Sequence, residues 1–146
     1  MLKELIIVRG LPGSGKTTFA KQVAANNDYH HYEADDFFMT PEGQYVYEAS
    51  RIKDAHFWCQ KKVEETMAKS EPVIVSNTFV KNWEMEPYFV LAEKYKYRIT
   101  IYETKGDYGS IHSVPTEAIE RMRKNWESVN LNNPVLFQTL KDVRSI

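Results

Sequence analysis

The segment from Leu5 to Ala20 reads LIIVRGLPGSGKTTFA. Within it, Gly10-Leu11-Pro12-Gly13-Ser14-Gly15-Lys16-Thr17 satisfies G-x-x-x-x-G-K-[ST] at every fixed position. Glycines at these places let the backbone curl until successive N–H groups point inward. With the positive end of a following helix, those groups cradle phosphate oxygens. Lys16 reaches the β and γ phosphates of a nucleotide, and Thr17 offers its hydroxyl to Mg²⁺. The expected nucleotide-binding set is Gly10, Pro12, Gly13, Ser14, Gly15, Lys16, Thr17 and Thr18, with Thr17 as the metal ligand. The motif predicts a Mg-nucleotide site and says nothing about where a phosphate goes next.

A second chemical element answers that question. EADDFF falls where a short strand, YHHYEA, ends. In open α/β sheets, ligands sit outside the carboxyl ends of the strands. Asp35 or Asp36 can take a proton from an acceptor hydroxyl and organise water around Mg²⁺. Two aspartates after a strand also suit a solvated helix cap.

The elements that must position these groups are legible in the hydrophobic pattern. ELIIVR, before the loop, is a short β-branched run and reads as a buried strand. KTTFAKQVAANN, after it, reads as a helix, so the motif has the flanks it requires. DDFFMTPEGQYVY is a loop with a Pro-Glu-Gly turn. Ile52, Ala55, Cys59, Val63 and Met67 recur at helical spacing and predict a helix from Ala49 to about Lys69. PVIVSNT is a strand. A helix from about Asn82 to Tyr95 follows, with Glu84 and Glu86 suiting its positive end. YRITIYE is a fourth strand, and VPTEAIERMRKNWE a helix opening near Pro115, with Ile119, Met122 and Trp126 on one face. The last dozen residues are ambiguous.

Alternating strands and helices imply βαβ units. The expected fold is therefore α/β, a P-loop NTPase three-layer sandwich. Its sheet is mostly parallel, with four to five strands, and helices cover both faces. ELIIVR and PVIVSNT, continuous apolar runs, belong side by side at its centre, with the other two strands flanking. At 146 residues the expected organisation is a single domain over 1–146. With one cysteine, Cys59, no intrachain disulfide forms, which fits a cytoplasmic setting. A net charge of −1 excludes a strongly basic nucleic-acid footprint, so any such contact must be local. No stretch is long enough to predict a membrane span or a signal peptide.

GLPGSGKTT, EADDFF, VIVSNTF with WEMEPY, and IHSVP with ERMR occur in this order over about residues 4 to 127. The set resembles the small polynucleotide-kinase-like P-loop proteins of phages, often labelled AAA-type ATPases, and is similar to the kinase half of phage 5′-polynucleotide kinase. The resemblance implies ATP-dependent phosphorylation of a 5′-hydroxyl in a nucleic acid or nucleotide. It implies Asp35 as general base, Lys16 as clamp on the donor phosphates, and host cytoplasm if the gene is phage-encoded. It also places Asn77 beside the metal, where the polynucleotide kinases carry an aspartate.

Two further departures stand out. Phe38 occupies the place of an acceptor-phosphate arginine and can instead stack a base or pack under the loop. Gly109 and Ser110 occupy the place of a lid arginine, for which Lys105, Arg121 or Arg123 can substitute. His112 in SIHSVP can contact a phosphate or the acceptor. His56 lies on the long helix's apolar stripe, as a core residue or an acceptor-pocket one. Arg51 and Lys53 are surface charges or phosphate contacts. His30-His31 lack the further ligands a zinc site needs. Trp83, Met85 and Tyr88 are expected to pack. The rival to a kinase is a nucleotide-binding regulatory module or slow ATPase, which Gly109, Ser110 and Asn77 favour and Asp35 opposes.

Overall fold

The computed structural model describes residues 2–109 and 114–146. The chain runs β1 (Glu4–Arg9), α1 (Lys16–Asn27), β2 (His30–Tyr32), a 3₁₀ turn (Ala34–Phe38), α2 (Ile52–Ala68), β3 (Val73–Asn77), α3 (Asn82–Tyr95), β4 (Arg98–Glu103), α4 (Thr116–Asn125), α5 (Pro134–Thr139) and β5 (Leu140–Ser145). The strands form one sheet in the order β2-β3-β1-β4-β5, and every pairing is parallel. β1 and β3 lie at its centre, as their unbroken apolar runs require.

Alternation along β1 divides the core. Leu5 and Ile7 join the layer formed with α2 and α3, which holds Ala55, Cys59, Val63, Met67, Met85 and Phe89. Ile6 and Val8 face the other way and pack with Ala20, Phe19 and Val23 of α1. Helices thus cover both faces. Met85 and Tyr88 are buried as expected, but Trp83, two residues before Met85 and so on the opposite side of α3, is 68% exposed. The ambiguous C-terminal dozen folds into α5 and β5. Lys141, Asp142 and Arg144 alternate poorly with Leu140 and Val143 because β5 is an edge strand, where charge is the usual protection.

The side chain of the last residue of β1 donates five hydrogen bonds. Arg9 is fully buried. Its guanidinium donates to Glu103 Oε2 at 2.6 Å, and Glu103 is its register partner on β4. It also donates to the carbonyls of Phe79 (2.6 Å), Val80 (3.2 Å) and Glu127 (2.8 Å). The Trp126 ring stacks at 3.9 Å from Arg9 Cζ. Burial pulls the guanidinium below its usual range, and Glu103 opposes that pull. Removing such a charge leaves its buried partners unpaired. Arg9→Ala is expected to destabilise the fold by about 3–5 kcal/mol in urea denaturation, whereas a loss below about 1 kcal/mol, the range of an exposed pair, would show the network to be dispensable.

Candidate active site

The phosphate loop connects β1 to α1. Gly13 (φ 80°) and Gly15 (φ 93°) take left-handed backbone, which glycine adopts without steric cost. A Cβ on Gly13 would also stand 2.7 Å from the Gly109 carbonyl oxygen. The segment after β4 braces the loop from outside. The Ser14 and Thr104 hydroxyls share a 2.6 Å hydrogen bond. Gly106 N–H donates to the Ser14 carbonyl at 3.2 Å, and Tyr108 N–H to the Gly13 carbonyl at 2.7 Å.

A cleft of about 1280 Å³ opens over the loop, and every phosphate-loop candidate except Gly10 lines it. Gly10 instead packs against Thr104 and Ser14. Burial pulls the Lys16 ammonium below its usual range, while Glu33 and Asp35 push it back. Asp35, Asn77, Lys105 and His56 also line the cleft. The structure therefore brings Asp35 and Lys16 to one space. Tyr45 donates its hydroxyl to Asp35 Oδ1 at 3.2 Å.

Asn77 holds the turn that carries Asp35. Its side-chain oxygen accepts from Ala34 N–H at 2.8 Å, and its amide donates to Cys59 Sγ at 3.9 Å. Burial pushes the Cys59 thiol up to about 11, so it stays protonated.

At Asp36, Phe38, Arg121 and Arg123 the expected ligand contact needs correction, and the structural alternative stands. Asp36 is not on the cleft wall: its carboxylate accepts from Glu33 N–H at 3.1 Å and caps the 3₁₀ turn. Phe38 is 6% exposed and belongs to the core, so it cannot stack a base. Arg121 and Arg123 do not reach the cleft. The face of α4 turned to it carries Ala118 and Met122, while Arg123 pairs with Glu120 on the exposed side at 3.3 Å and Arg121 lies on a separate shallow surface. Arg51 takes the surface-charge alternative, paired with Asp54 at 3.2 Å. Ser110 and His112 lie outside the described residues.

Sequence reasoning misses Glu33. Its Oε2 accepts the Thr17 hydroxyl at 2.9 Å, and burial pushes its carboxyl up to about 7, with the Thr17 bond opposing. Its one sequence signal was membership of the acidic run EADD; Glu33 is still extended at the end of β2, whereas Asp35 already lies in the 3₁₀ turn, so no strand period links the two. Next to it, His31 bonds Ser76 Oγ at 2.7 Å, and burial holds its imidazole down at about 4, helped by Lys21. His31 and Glu33 approach to 3.9 Å. Because burial favours the neutral form of each, this is a contact rather than an ion pair.

A parallel sheet, a glycine loop opening a helix, and a carboxylate across the cleft define a kinase-like P-loop nucleotide-binding fold. The chain belongs to the AAA domain family, whose sequence profile matches residues 5–111. It is 32% identical over 133 residues to human NEDD4-binding protein 2, covering 84% of this chain and 8% of that protein. The chain thus spans a small fraction of that relative's length. Among solved structures, Kti12 of Chaetomium thermophilum in complex with ADP-AlF3 superposes with a TM-score of 0.72 at 16% identity, covering 97% of this chain and 88% of that one. A gluconokinase of Sinorhizobium meliloti superposes at 0.55 and 21% identity, covering 98% and 83%. These likenesses show the fold. Among the described residues, no helix is long and apolar enough to cross a membrane.

His31 and Glu33 give stability opposite pH dependences. The His31 pKa falls from 6.5 to about 4 on folding, so the unfolded chain takes up a proton that the folded chain refuses, and stability drops as pH falls through that window. Glu33 rises from 4.5 to about 7, so its contribution is present below about 4.5 and lost as pH rises through about 7. His31→Asn removes only the first slope. The stability gap between wild type and this variant should shrink by up to about 3 kcal/mol from pH 7 to pH 4 in urea titrations; a gap independent of pH would contradict the buried neutral imidazole.

Proposed function

We propose that residues 1–146 act as one ATP-dependent phosphotransferase domain that moves the γ-phosphate to a hydroxyl, with a 5′-hydroxyl of a nucleic acid or nucleotide as acceptor. The observation that carries this reading is the Asp35 carboxylate on the wall of the cleft that also holds Lys16 and Thr17. The acceptor class rests on the resemblance of the ordered motifs to polynucleotide kinases. Gluconokinase adds only the fold-level analogy of transfer to a hydroxyl.

The donor set fits a Mg²⁺ held mainly by the nucleotide. Thr17 supplies one hard oxygen, with the Glu33 carboxylate adjacent at 2.9 Å. Among the described residues, no three His, Cys, Asp or Glu side chains converge into a cage, and Mg²⁺ characteristically relies on phosphates and water for the rest. When bound, it would neutralise charge on the donor phosphates, with Thr17 and Glu33 the side chains placed to hold it or its water. Lys16 and the loop amides would hold the β and γ phosphate oxygens. Asp35, oriented by the Tyr45 hydroxyl, accepts the acceptor's proton. The acceptor oxygen bonds to the γ-phosphorus as the bond to the bridging oxygen breaks, and ADP leaves. Positioning and charge supply most of the rate in such transfers.

A slow ATPase or regulatory module is the second reading. The observation favouring it is the apolar surface that α4 and the residues just before it present to the cleft, Val114, Pro115, Ala118 and Met122, with Gly109 where the resembled family has arginine. Labelled ATP, Mg²⁺ and a panel of 5′-hydroxyl oligonucleotides and nucleosides separate the two. Asp35→Asn should lower transfer by about 10²–10⁴-fold with ADP affinity unchanged, and Lys16→Ala should weaken ADP binding itself. Slow phosphate release alone, equal in wild type and Asp35→Asn, would overturn the kinase reading.

A further inference from the structure

The acceptor side of the cleft has a composition unlike its phosphate side. Asp35, Tyr45, Tyr47, Ile52 and His56 line it. The lysines on the cleft wall, Lys16 and Lys105, both belong to the phosphate side, and no described arginine lines the cleft. A wall of this kind offers little to acceptor phosphates and much to a flat ring.

The two tyrosines are held firmly. The segment from Phe38 to Val46 folds back on itself, with Val46 N–H donating to the Phe38 carbonyl at 2.9 Å and Thr40 N–H to the Gln44 carbonyl at 2.7 Å. Met39 and Tyr45 form an antiparallel bridge, and Gly43 closes the turn at φ 84°. Tyr45 and Tyr47, two residues apart, share one side. Their rings are near-parallel at 14°, with centroids 6.4 Å apart. The buried Phe38 meets both edge-on, at 6.2 and 5.2 Å. Tyr47 is 53% exposed, so its ring remains available, while Tyr45 ties the platform to Asp35.

We propose that this tyrosine platform recognises the acceptor through its terminal nucleobase, which stacks on Tyr47 and sets the sugar hydroxyl against Asp35. The proposal rests on the phosphotransferase reading and deepens it. The acceptor is selected as a nucleoside end, by base stacking, rather than as a polyanion by phosphate contacts. Phe38, which cannot stack a base itself, supports the rings that do. Two consequences distinguish this mode: binding depends on the terminal base being present, and it is weakly sensitive to salt, because few counterions are released.

The test is equilibrium binding, which needs no catalysis. A 5′-hydroxyl trinucleotide with 2-aminopurine at its 5′ end is titrated with the protein and Mg·ADP, alongside the same trinucleotide with an abasic 5′ sugar and a distal 2-aminopurine. Stacking should quench the terminal probe, and Tyr47→Ala should abolish the quenching and weaken binding about tenfold or more. Tyr47→Phe should retain both, and ADP affinity in each variant reports that the fold is intact. The abasic strand should bind wild type and Tyr47→Ala equally weakly. Binding that ignores Tyr47, that does not distinguish the abasic end, that falls steeply with salt, or that is absent would overturn the platform. Base-dependent binding without any phosphate transfer would uphold the platform and refute the phosphotransferase reading instead.

Discussion

The Arg9 guanidinium, buried where β1 hands over to the phosphate loop, is the constraint on which the site's geometry depends. It is bonded to Glu103 at the end of β4 and to the carbonyls of Phe79, Val80 and Glu127. Those partners are the places where the chain leaves β3, leaves β4 and leaves α4. A charge this deep must have all of its donors met, and meeting them fixes three crossing segments relative to the loop. The cross-strand step Arg9↔Glu103 then sets the height of Thr104, which bonds both the Arg9 carbonyl at 2.9 Å and Ser14 inside the loop. The phosphate cradle is thus shaped from its own strand and from the neighbouring one at once.

On the other side of β1, the parallel register carries the same precision to the acid. β3 pairs with β1 such that Asn77 lies opposite Arg9. Asn77 in turn holds Ala34, the residue before Asp35. A carboxylate in a loop is thereby referred to the central strand through one amide. Glu33 completes the arrangement from β2's end by holding the Thr17 hydroxyl, so three acids of one tetrapeptide have three different tasks. Glu33 faces the loop, Asp35 faces the cleft and Asp36 caps the turn between them.

Much of this was legible in the sequence. Apolar runs placed β1 and β3 at the sheet centre, and the glycine spacing placed the loop. EADD showed that acid gathers at the end of β2. What the sequence concealed was direction. Whether Phe38 points to a ligand or into the core is set by the hairpin fold of residues 38–46, which no period in the sequence announces. Arg121 and Arg123 point away because the apolar face of α4 packs over the cleft instead of the core, a tertiary choice. β5 was hidden because an edge strand lacks the apolar run that betrays a central one. Arg9, a charge ending a hydrophobic strand, gives no sign of its role until its partners arrive from 70 to 118 residues away.

The central claim is that Asp35 is the group an acceptor hydroxyl meets when the donor phosphate is held by the loop. A crystal structure with Mg²⁺, ADP, aluminium fluoride and a 5′-hydroxyl dinucleotide tests it most directly. The account predicts the 5′ oxygen within about 2.6–3.2 Å of an Asp35 carboxylate oxygen, in line with the aluminium and the ADP oxygen, with Lys16 on the fluoride. An aluminium fluoride approached by water alone, with Asp35 turned from the cleft or the dinucleotide bound elsewhere, would contradict it.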